Sequence, residues 1–393
     1  MPRVLFTREL TSLFAAATGF AAALRNSRSV ASPGRRSVRC PQRIRACLAV
    51  KCAGDSALYS ILSLVEYLAN CICAVEDLRL AIRAAICEMQ TRKIGSLDIS
   101  VIGLGCNNFG WRIDAKASAK VVDAAIASRI DFFDTADRYG NGLSEKFLGH
   151  ALEGRRDQVV IGTKFGMEMG KDQQGASPKY VRKAIEASLR RLRTDRVDLY
   201  QLHQPDANTP IADTLGALDE LVRSGKVREI GCSNFTVEQI REAARATKGA
   251  RFVSVQNEFS LFHREPEKGV LQECEKQGMA FLPYFPLANG LLTGKYRLGK
   301  KPPAGSRAVE GFGPKIFTPK NLEIVEALIK FAEARNHTIL ELAFGWLLSH
   351  KPVASVIAGA SKPEQVRANA NSASWQLSSD DLREIDVIMQ RAR

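Results

Sequence analysis

Six polar residues each stand where a short apolar run gives out: Asp134, Lys164, His203, Asn234, Gln256 and Tyr284. The gaps between them, 30, 39, 31, 22 and 28 residues, are each close to one strand–helix unit. If the runs are parallel strands, all six side chains gather at one end of the sheet. Asp134 and Lys164 then end neighbouring strands and can pair across its opening. Alone, such a pair reads as structural. Tyr139 changes that reading, because it lies five residues past Asp134 and can fold back over the pair. A phenol titrates near pH ~10, too high for efficient proton donation at neutral pH. A nearby ammonium favours phenolate and lowers that value, while the carboxylate keeps the lysine charged and placed. His203, ending the next run, can donate a hydrogen bond to an oxygen shared with Tyr139. Together the four make a place for an oxygen that turns negative as it gains a proton, as a carbonyl oxygen does under hydride attack.

No side chain supplies a hydride, so this chemistry needs a cofactor. The run Gly103-Leu104-Gly105-Cys106-Asn107-Asn108 fails the dinucleotide-binding spacing, because Asn108 stands where the third glycine belongs. A Rossmann site is therefore rejected. Instead, Ser233, Asn234 and Gln256 can bond a nicotinamide carboxamide and Tyr284 can stack on its ring. Asn108, Phe109 and Trp111, just past the first run, either line a substrate pocket or pack a loop. His150, His263, His337 and His350 read as surface or capping residues, and Cys232 as a small buried one without a base to activate it.

The elements that must position these groups follow from periodicity. Apolar runs fall at 101–104, 132–133, 159–161, 197–202, 229–231, 252–255, 280–282 and 353–357. Helix-period segments such as 117–127, 180–191, 211–223, 237–244 and 269–277 separate them. Ser177-Pro178 and Thr236 with Glu238-Gln239 are helix starts. Eight runs alternating with helices, without a break in strand order, predict an α/β fold: a closed (β/α)8 TIM barrel. Its working face carries the C-terminal strand ends. Residues 90–94, Gly95-Ser96 and 97–101 predict a β-hairpin across the barrel bottom. Segments 321–335 and 339–349 predict two helices between the last two strands, one more than the plain repeat needs.

Composition narrows the function classes. The 393 residues are 45% hydrophobic and 25% charged, which excludes collagen, coiled coil and bulk disorder. No run approaches ~18 uninterrupted apolar residues, so no membrane-spanning helix is expected. The net charge of +14 is uneven: residues 1–88 hold 12 basic and 6 acidic side chains, leaving 44 and 36 beyond. That mild excess suits phosphate-bearing small molecules. No Lys/Arg block interleaved with aromatics points to nucleic acid. Six of nine cysteines precede residue 89, and Cys106, Cys232 and Cys274 are too scattered for a disulfide framework or a metal site. Residues 1–54 are rich in Arg, Ala and Ser with one acid, Glu9, the composition of an organellar transit peptide. The preferred alternative is that 1–88 is not part of the working protein, which starts at Met89. On either reading 1–88 is a weakly ordered extension and 89–393 the barrel. A cytoplasmic location goes with the preferred reading and an organellar one with the first.

The motifs resemble those of the aldo-keto reductase family from about Arg92 to Ile388. The resemblance rests on Asp131-Phe132-Phe133-Asp134-Thr135-Ala136 through Tyr139 to Gly142, then Ser144-Glu145 and Leu148-Gly149. Thr163-Lys164, Asp198-Leu199-Tyr200 with His203 and Pro205, and Gly231-Cys232-Ser233-Asn234-Phe235 add to it. So do Pro286-Leu287-Ala288 and the run from Gly290 to Lys295-Tyr296. It implies a catalytic tetrad of Asp134, Tyr139, Lys164 and His203, with Tyr139 the general acid, reducing a small-molecule aldehyde or ketone to an alcohol. It also implies a cofactor across the barrel mouth that includes Pro286, Leu287, Gly290 and Lys295 among its contacts. NADP(H) is expected over NAD(H), its 2′-phosphate held by Gly359, Ser361, Lys362, Gln365 and Asn369. Here the chain departs from the family's pattern, which often has arginine where Gln365 stands, glutamate at Ala368 and proline at Ala358. Losing a guanidinium removes a bidentate phosphate partner, although Ser361 and Lys362 at a helix N-terminus can serve. The sequence is also similar to potassium-channel beta subunits, which would make it a cofactor-binding regulatory subunit with little turnover. Those proteins carry another residue at the position of His203, so turnover is the leading expectation. A catabolic dehydrogenase running toward oxidation is a third reading.

Overall fold

A computed structural model describes residues 89–309 and 316–390. The extension expected at 1–88 lies outside the described residues. The described chain starts with a hairpin, β1 (Thr91–Ile94) and β2 (Leu97–Ser100), and enters the first barrel strand, β3 (Ile102–Gly105). The repeat then runs α1 (Ala115–Ala127), β4 (Phe132–Asp134), α2 (Leu143–Ala151), β5 (Val160–Phe165), α3 (Pro178–Leu192) and β6 (Val197–Leu202). It continues α4 (Ile211–Arg223), β7 (Val227–Ser233), α5 (Val237–Ala246), β8 (Phe252–Glu258), α6 (Val270–Gln277) and β9 (Ala280–Tyr284). Two helices, α7 (Pro319–Glu333) and α8 (Ile339–Leu348), precede the last strand, β10 (Val356–Gly359), which α9 (Pro363–Asn371) and α10 (Ser379–Gln390) follow.

The eight strands from β3 to β10 pair in parallel in the order β10-β3-β4-β5-β6-β7-β8-β9. The two ends of that sheet meet through backbone bonds, Phe281 N–H to Pro352 O (2.7 Å) and Ala354 N–H to Phe281 O (3.0 Å), which nearly close the barrel. The TIM-barrel expectation holds, as does the pair of helices before the last strand. Some boundaries differ. Strand β7 covers seven residues and so outruns the apolar segment 229–231, because exposed Arg228 and half-buried Glu229 interrupt its apolar pattern without ending its ladder. The last strand begins at Val356, three residues after its apolar segment does, since Val353 and Ala354 close the seam with β9. Helix α7 begins at Pro319, with the Thr318 hydroxyl accepting from Asn321 N–H.

The hairpin plugs the barrel bottom. Ile94, Leu97 and Ile99 are buried against Phe132, Leu199, Val253, Ala280, Leu282, Ala354 and Ile357. Its two-residue turn needs a left-handed first residue, supplied by Gly95 at φ 56°, and Ser96 N–H donates to Glu229 Oε1 at 2.7 Å. A second, larger apolar cluster fills the space between barrel and helices.

Helices α2 and α3 touch backbone to backbone. A Cβ on Gly149 would stand 2.6 Å from the carbonyl carbon and oxygen of Leu192. Gly→Ala inside a helix ordinarily gains roughly 0.5–1 kcal/mol. Here the backbone of α3 cannot yield, so Gly149→Ala is expected to cost about 1–3 kcal/mol instead. Denaturant unfolding reads the sign directly, and a gain would mean the two helices can separate freely.

Candidate active site

The C-terminal strand ends bring Asp134, Lys164, His203, Asn234 and Tyr284 to one face of the barrel, as their spacing predicts. Asp134 closes β4, and Lys164 sits one residue before the end of β5. The two form an ion pair: Lys164 Nζ donates to Asp134 Oδ2 at 2.6 Å and to Thr135 O at 3.0 Å. Both side chains are almost wholly shut from solvent. The other carboxylate oxygen accepts from Gln256 Nε2 (2.9 Å) and Gln201 Nε2 (3.3 Å). Both oxygens of the buried carboxylate are thereby bonded, which an enclosed charge requires.

Tyr139 folds back over this pair. The chain leaves β4, turns through Gly140, Asn141 and Gly142 in left-handed conformations, and starts α2. Its phenol oxygen lies 3.3 Å from Lys164 Nζ, and the ammonium sits 5.0 Å from the ring centroid. Tyr139 and His203 meet edge to face, centroids 5.8 Å apart. Burial would lower the Lys164 pKa, but Asp134 and Tyr139 outweigh it and hold the ammonium above its ordinary value. Tyr139 differs from the sequence expectation. Burial, with Asp134 and Cys106 adding to it, raises the phenol above its usual range despite the downward pull of Lys164. In the resting site the phenol keeps its proton.

His203 lies just past β6, nine-tenths enclosed. Burial, then Lys164, pushes its imidazole down to about 3, so the ring is neutral at any ordinary pH. Its Nδ1 is buried without a partner. Such an orphaned group costs roughly 1–3 kcal/mol and persists where a ligand satisfies it.

Beside these groups lies a second polar set. Asn234 adopts a left-handed φ of 61°, from which its Nδ2 donates to His203 O (3.0 Å) and to Ser233 Oγ (3.2 Å). Tyr284 Oη donates to Asn234 Oδ1 at 2.9 Å, and Ser233 Oγ donates to Gln256 O at 2.7 Å. Gln256 lies inside β8 rather than at its end, and its amide nitrogen is turned to Asp134. The loop after β9 carries Pro286, Leu287 and Gly290. In it Phe285, Ala288 and Asn289 hold positive φ of 51°, 47° and 57°. Strained non-glycine backbone of this kind is kept where function uses it. Lys295 and Arg307 add cations there, Arg307 donating to Asn289 Oδ1 at 3.1 Å. Arg307 carries no signal in the sequence that sets it apart from other surface arginines.

After β10, Ser361 and Lys362 precede α9 as expected, and buried Asn369 lies within it. Gln365 folds back on them: its Oε1 accepts from Ser361 N–H (2.8 Å) and from Ser361 Oγ (3.2 Å). Two of the donors assigned to a phosphate are thus engaged by the Gln365 side chain. Near the first strand, Asn108 Nδ2 donates to Ala360 O at 3.2 Å, while Trp111 is largely exposed. Phe109 is fully enclosed in the core and presents no surface to a ligand.

Two further residues complete the site's support. Gln201 is one. Asp137 is the other: two residues before Tyr139, its N–H bonds Lys164 O at 3.1 Å, and its Oδ1 is buried without a partner. Burial, then Glu145, pushes the Asp137 carboxyl up to about 7, against Arg191, the Arg138 N–H and Lys164. A folded-state pKa above the unfolded value means folding takes up a proton. The resulting stability is complete below about pH 4 and is lost as pH rises through 7. His203 has the opposite sign: its contribution is complete above about pH 6.5 and is lost as pH falls toward 3. Asp137→Asn is therefore expected to raise stability at pH 8 by about 1–3 kcal/mol and leave the acid-side loss untouched. Melting temperature against pH tests this, and an unaltered profile would remove Asp137 from the account.

A sequence model of the Aldo/keto reductase family matches residues 101–390. The chain is 34% identical over 306 residues to Aldo-keto reductase YhdN of Bacillus subtilis, covering 75% of this chain and 91% of that one. It is 33% identical over 309 residues to the Schizosaccharomyces pombe aldo-keto reductase yakc, whose name carries NADP(+), covering 76% and 91%. It is 32% identical over 320 residues to an Escherichia coli O157:H7 L-glyceraldehyde 3-phosphate reductase, covering 76% and 92%. Among solved structures, the glycerol dehydrogenase AKR11B4 from Gluconobacter oxydans superposes with TM-score 0.68 at 31% identity, over 78% of this chain and 96% of that one. Among the described residues no helix is long and apolar enough to cross a membrane.

Proposed function

Because this chain belongs to the aldo-keto reductase family of oxidoreductases, we propose that it reduces an aldehyde or ketone to an alcohol with NADP(H), Tyr139 giving the proton. The observation that carries this reading is the placement of Lys164 Nζ between Asp134 Oδ2 (2.6 Å) and Tyr139 Oη (3.3 Å), beside the partnerless His203 ring nitrogen. A bound nicotinamide supplies the hydride.

The residues present fit such a cofactor. Ser233 and Asn234 offer hydroxyl and amide groups beside the catalytic cluster, and Tyr284 is bonded to Asn234. The strained loop around Phe285–Asn289, with Lys295 and Arg307, suits a pyrophosphate. Lys362 is exposed and suits a further phosphate. The name of the yeast relative favours NADP(H). The engagement of Ser361 by Gln365 works against a strong preference for it over NAD(H).

Tyr139 enters the reaction protonated, which is what a donor requires. The ammonium of Lys164 matters once the proton moves, because a phenolate then lies 3.3 Å from a full positive charge held in place by Asp134. Neutral His203 can donate a hydrogen bond to the carbonyl oxygen as it gains negative charge, and a fixed donor in an enclosed site stabilises that charge strongly. The test is a spectrophotometric assay of NADPH oxidation against a panel of aldehydes and ketones, repeated with NADH. Steady turnover with some carbonyl supports the proposal. Tight cofactor binding with no turnover on any of them would instead favour the regulatory-subunit reading.

A further inference from the structure

A groove on the outer, helical layer of the barrel lies along α2 and α3. It has a volume of about 420 Å³ and is lined by Lys146, His150, Ala187, Arg190, Arg191 and Arg193. Five of those six side chains are basic and the sixth is small enough to leave space.

The charges are not equally committed. Arg191 Nε donates to Glu145 Oε2 at 2.6 Å, and Glu145 Oε1 accepts from Thr163 Oγ1 at 2.6 Å, so Arg191 belongs to the support of β5. Arg193 pairs with solvent-exposed Glu153 at 3.3 Å, an interaction worth little in water, and donates to His150 Nδ1 at 2.9 Å. Lys146 and Arg190 are exposed and have no acidic partner among the described residues. Basic side chains in the last turn of a helix complement its dipole, which accounts for Arg190 on α3. It does not account for Lys146, which lies midway along α2 and lines the same space. Bringing cations without acidic partners from two helices into one concavity costs repulsion that a polyanion relieves.

We infer that this groove binds a small ligand carrying two or more phosphate groups. Two cations from separate helices that lack an acidic side-chain partner, with Arg193 as a further donor, match a chain of phosphates better than a single one. Arginine adds planar, two-point recognition of phosphate oxygens.

The probe is inorganic tripolyphosphate, titrated calorimetrically into the full chain with inorganic phosphate as comparison. The expected result is saturable binding of tripolyphosphate, at least about tenfold tighter than phosphate, that weakens with added salt. The double variant Lys146→Ala/Arg190→Ala alters only exposed side chains, so its melting temperature should match wild type. Its tripolyphosphate affinity should fall by about tenfold or more. Absence of tripolyphosphate binding, or equal affinity in the double variant, would each overturn the inference. None of these outcomes bears on whether the barrel mouth reduces carbonyls.

Discussion

Tyr139→Phe is expected to lower kcat for carbonyl reduction by about 10²–10⁴-fold while cofactor affinity and folding stay near wild type. The size follows from removing the proposed proton source, whose oxygen lies beside the buried ammonium. The selectivity follows from what the substitution keeps. The phenyl ring still meets His203 edge to face and still lies under Lys164, whose Nζ retains Asp134 Oδ2 at 2.6 Å and Thr135 O at 3.0 Å. Only the longest of the three lysine contacts, at 3.3 Å, is lost. On the proposed mechanism alcohol oxidation should fall as well, because the same phenol oxygen would take the proton back. Steady-state rates in both directions, cofactor binding by fluorescence and a melting curve test these expectations together. Wild-type turnover in a Tyr139→Phe variant that folds and binds cofactor would remove Tyr139 from the mechanism.

Much of this site was legible in the sequence, for a physical reason. A barrel strand is apolar while it crosses the interior and turns polar where it meets the open face, so Asp134, Lys164 and His203 announce themselves as the ends of their runs. Gln201 does not. It lies inside the run from Val197 to Leu202 and looks like an interruption, although the two-residue period through Leu199, Gln201 and His203 puts it on the inward face. Asp137 was hidden by chemistry rather than pattern. A loop aspartate ordinarily faces water, and only tertiary packing near Glu145, Arg191 and Lys164 encloses this one. The sign of the Tyr139 shift was likewise out of reach. Sequence shows that an ammonium is near, but not that burial outweighs it. Gln365 illustrates a third limit: its place just after Ser361-Lys362 is visible in the sequence, whereas its hold on Ser361 depends on a side-chain conformation.

Asp134→Leu is expected to destabilise the protein by about 3–5 kcal/mol and to abolish turnover. The argument rests on what remains. Lys164, wholly buried, would keep a charge with only Thr135 O and the Tyr139 phenol as partners, and Gln256 and Gln201 would lose their common acceptor. An uncompensated ammonium in that interior either unfolds the barrel or gives up its proton. The double variant Asp134→Leu/Lys164→Met separates the structural from the chemical role of the pair. With both charges gone and apolar groups in their place, the part of the loss due to the buried unpaired charge should return, while the Gln256 and Gln201 amides stay without their acceptor. Turnover should not return, since no cation is left beside Tyr139 to receive a phenolate. Because the pair is enclosed, added salt should barely change the single-variant loss. Denaturant unfolding and steady-state rates on the two variants read these outcomes. If the double variant recovered turnover along with stability, the pair would be a strut of the barrel and not part of its chemistry.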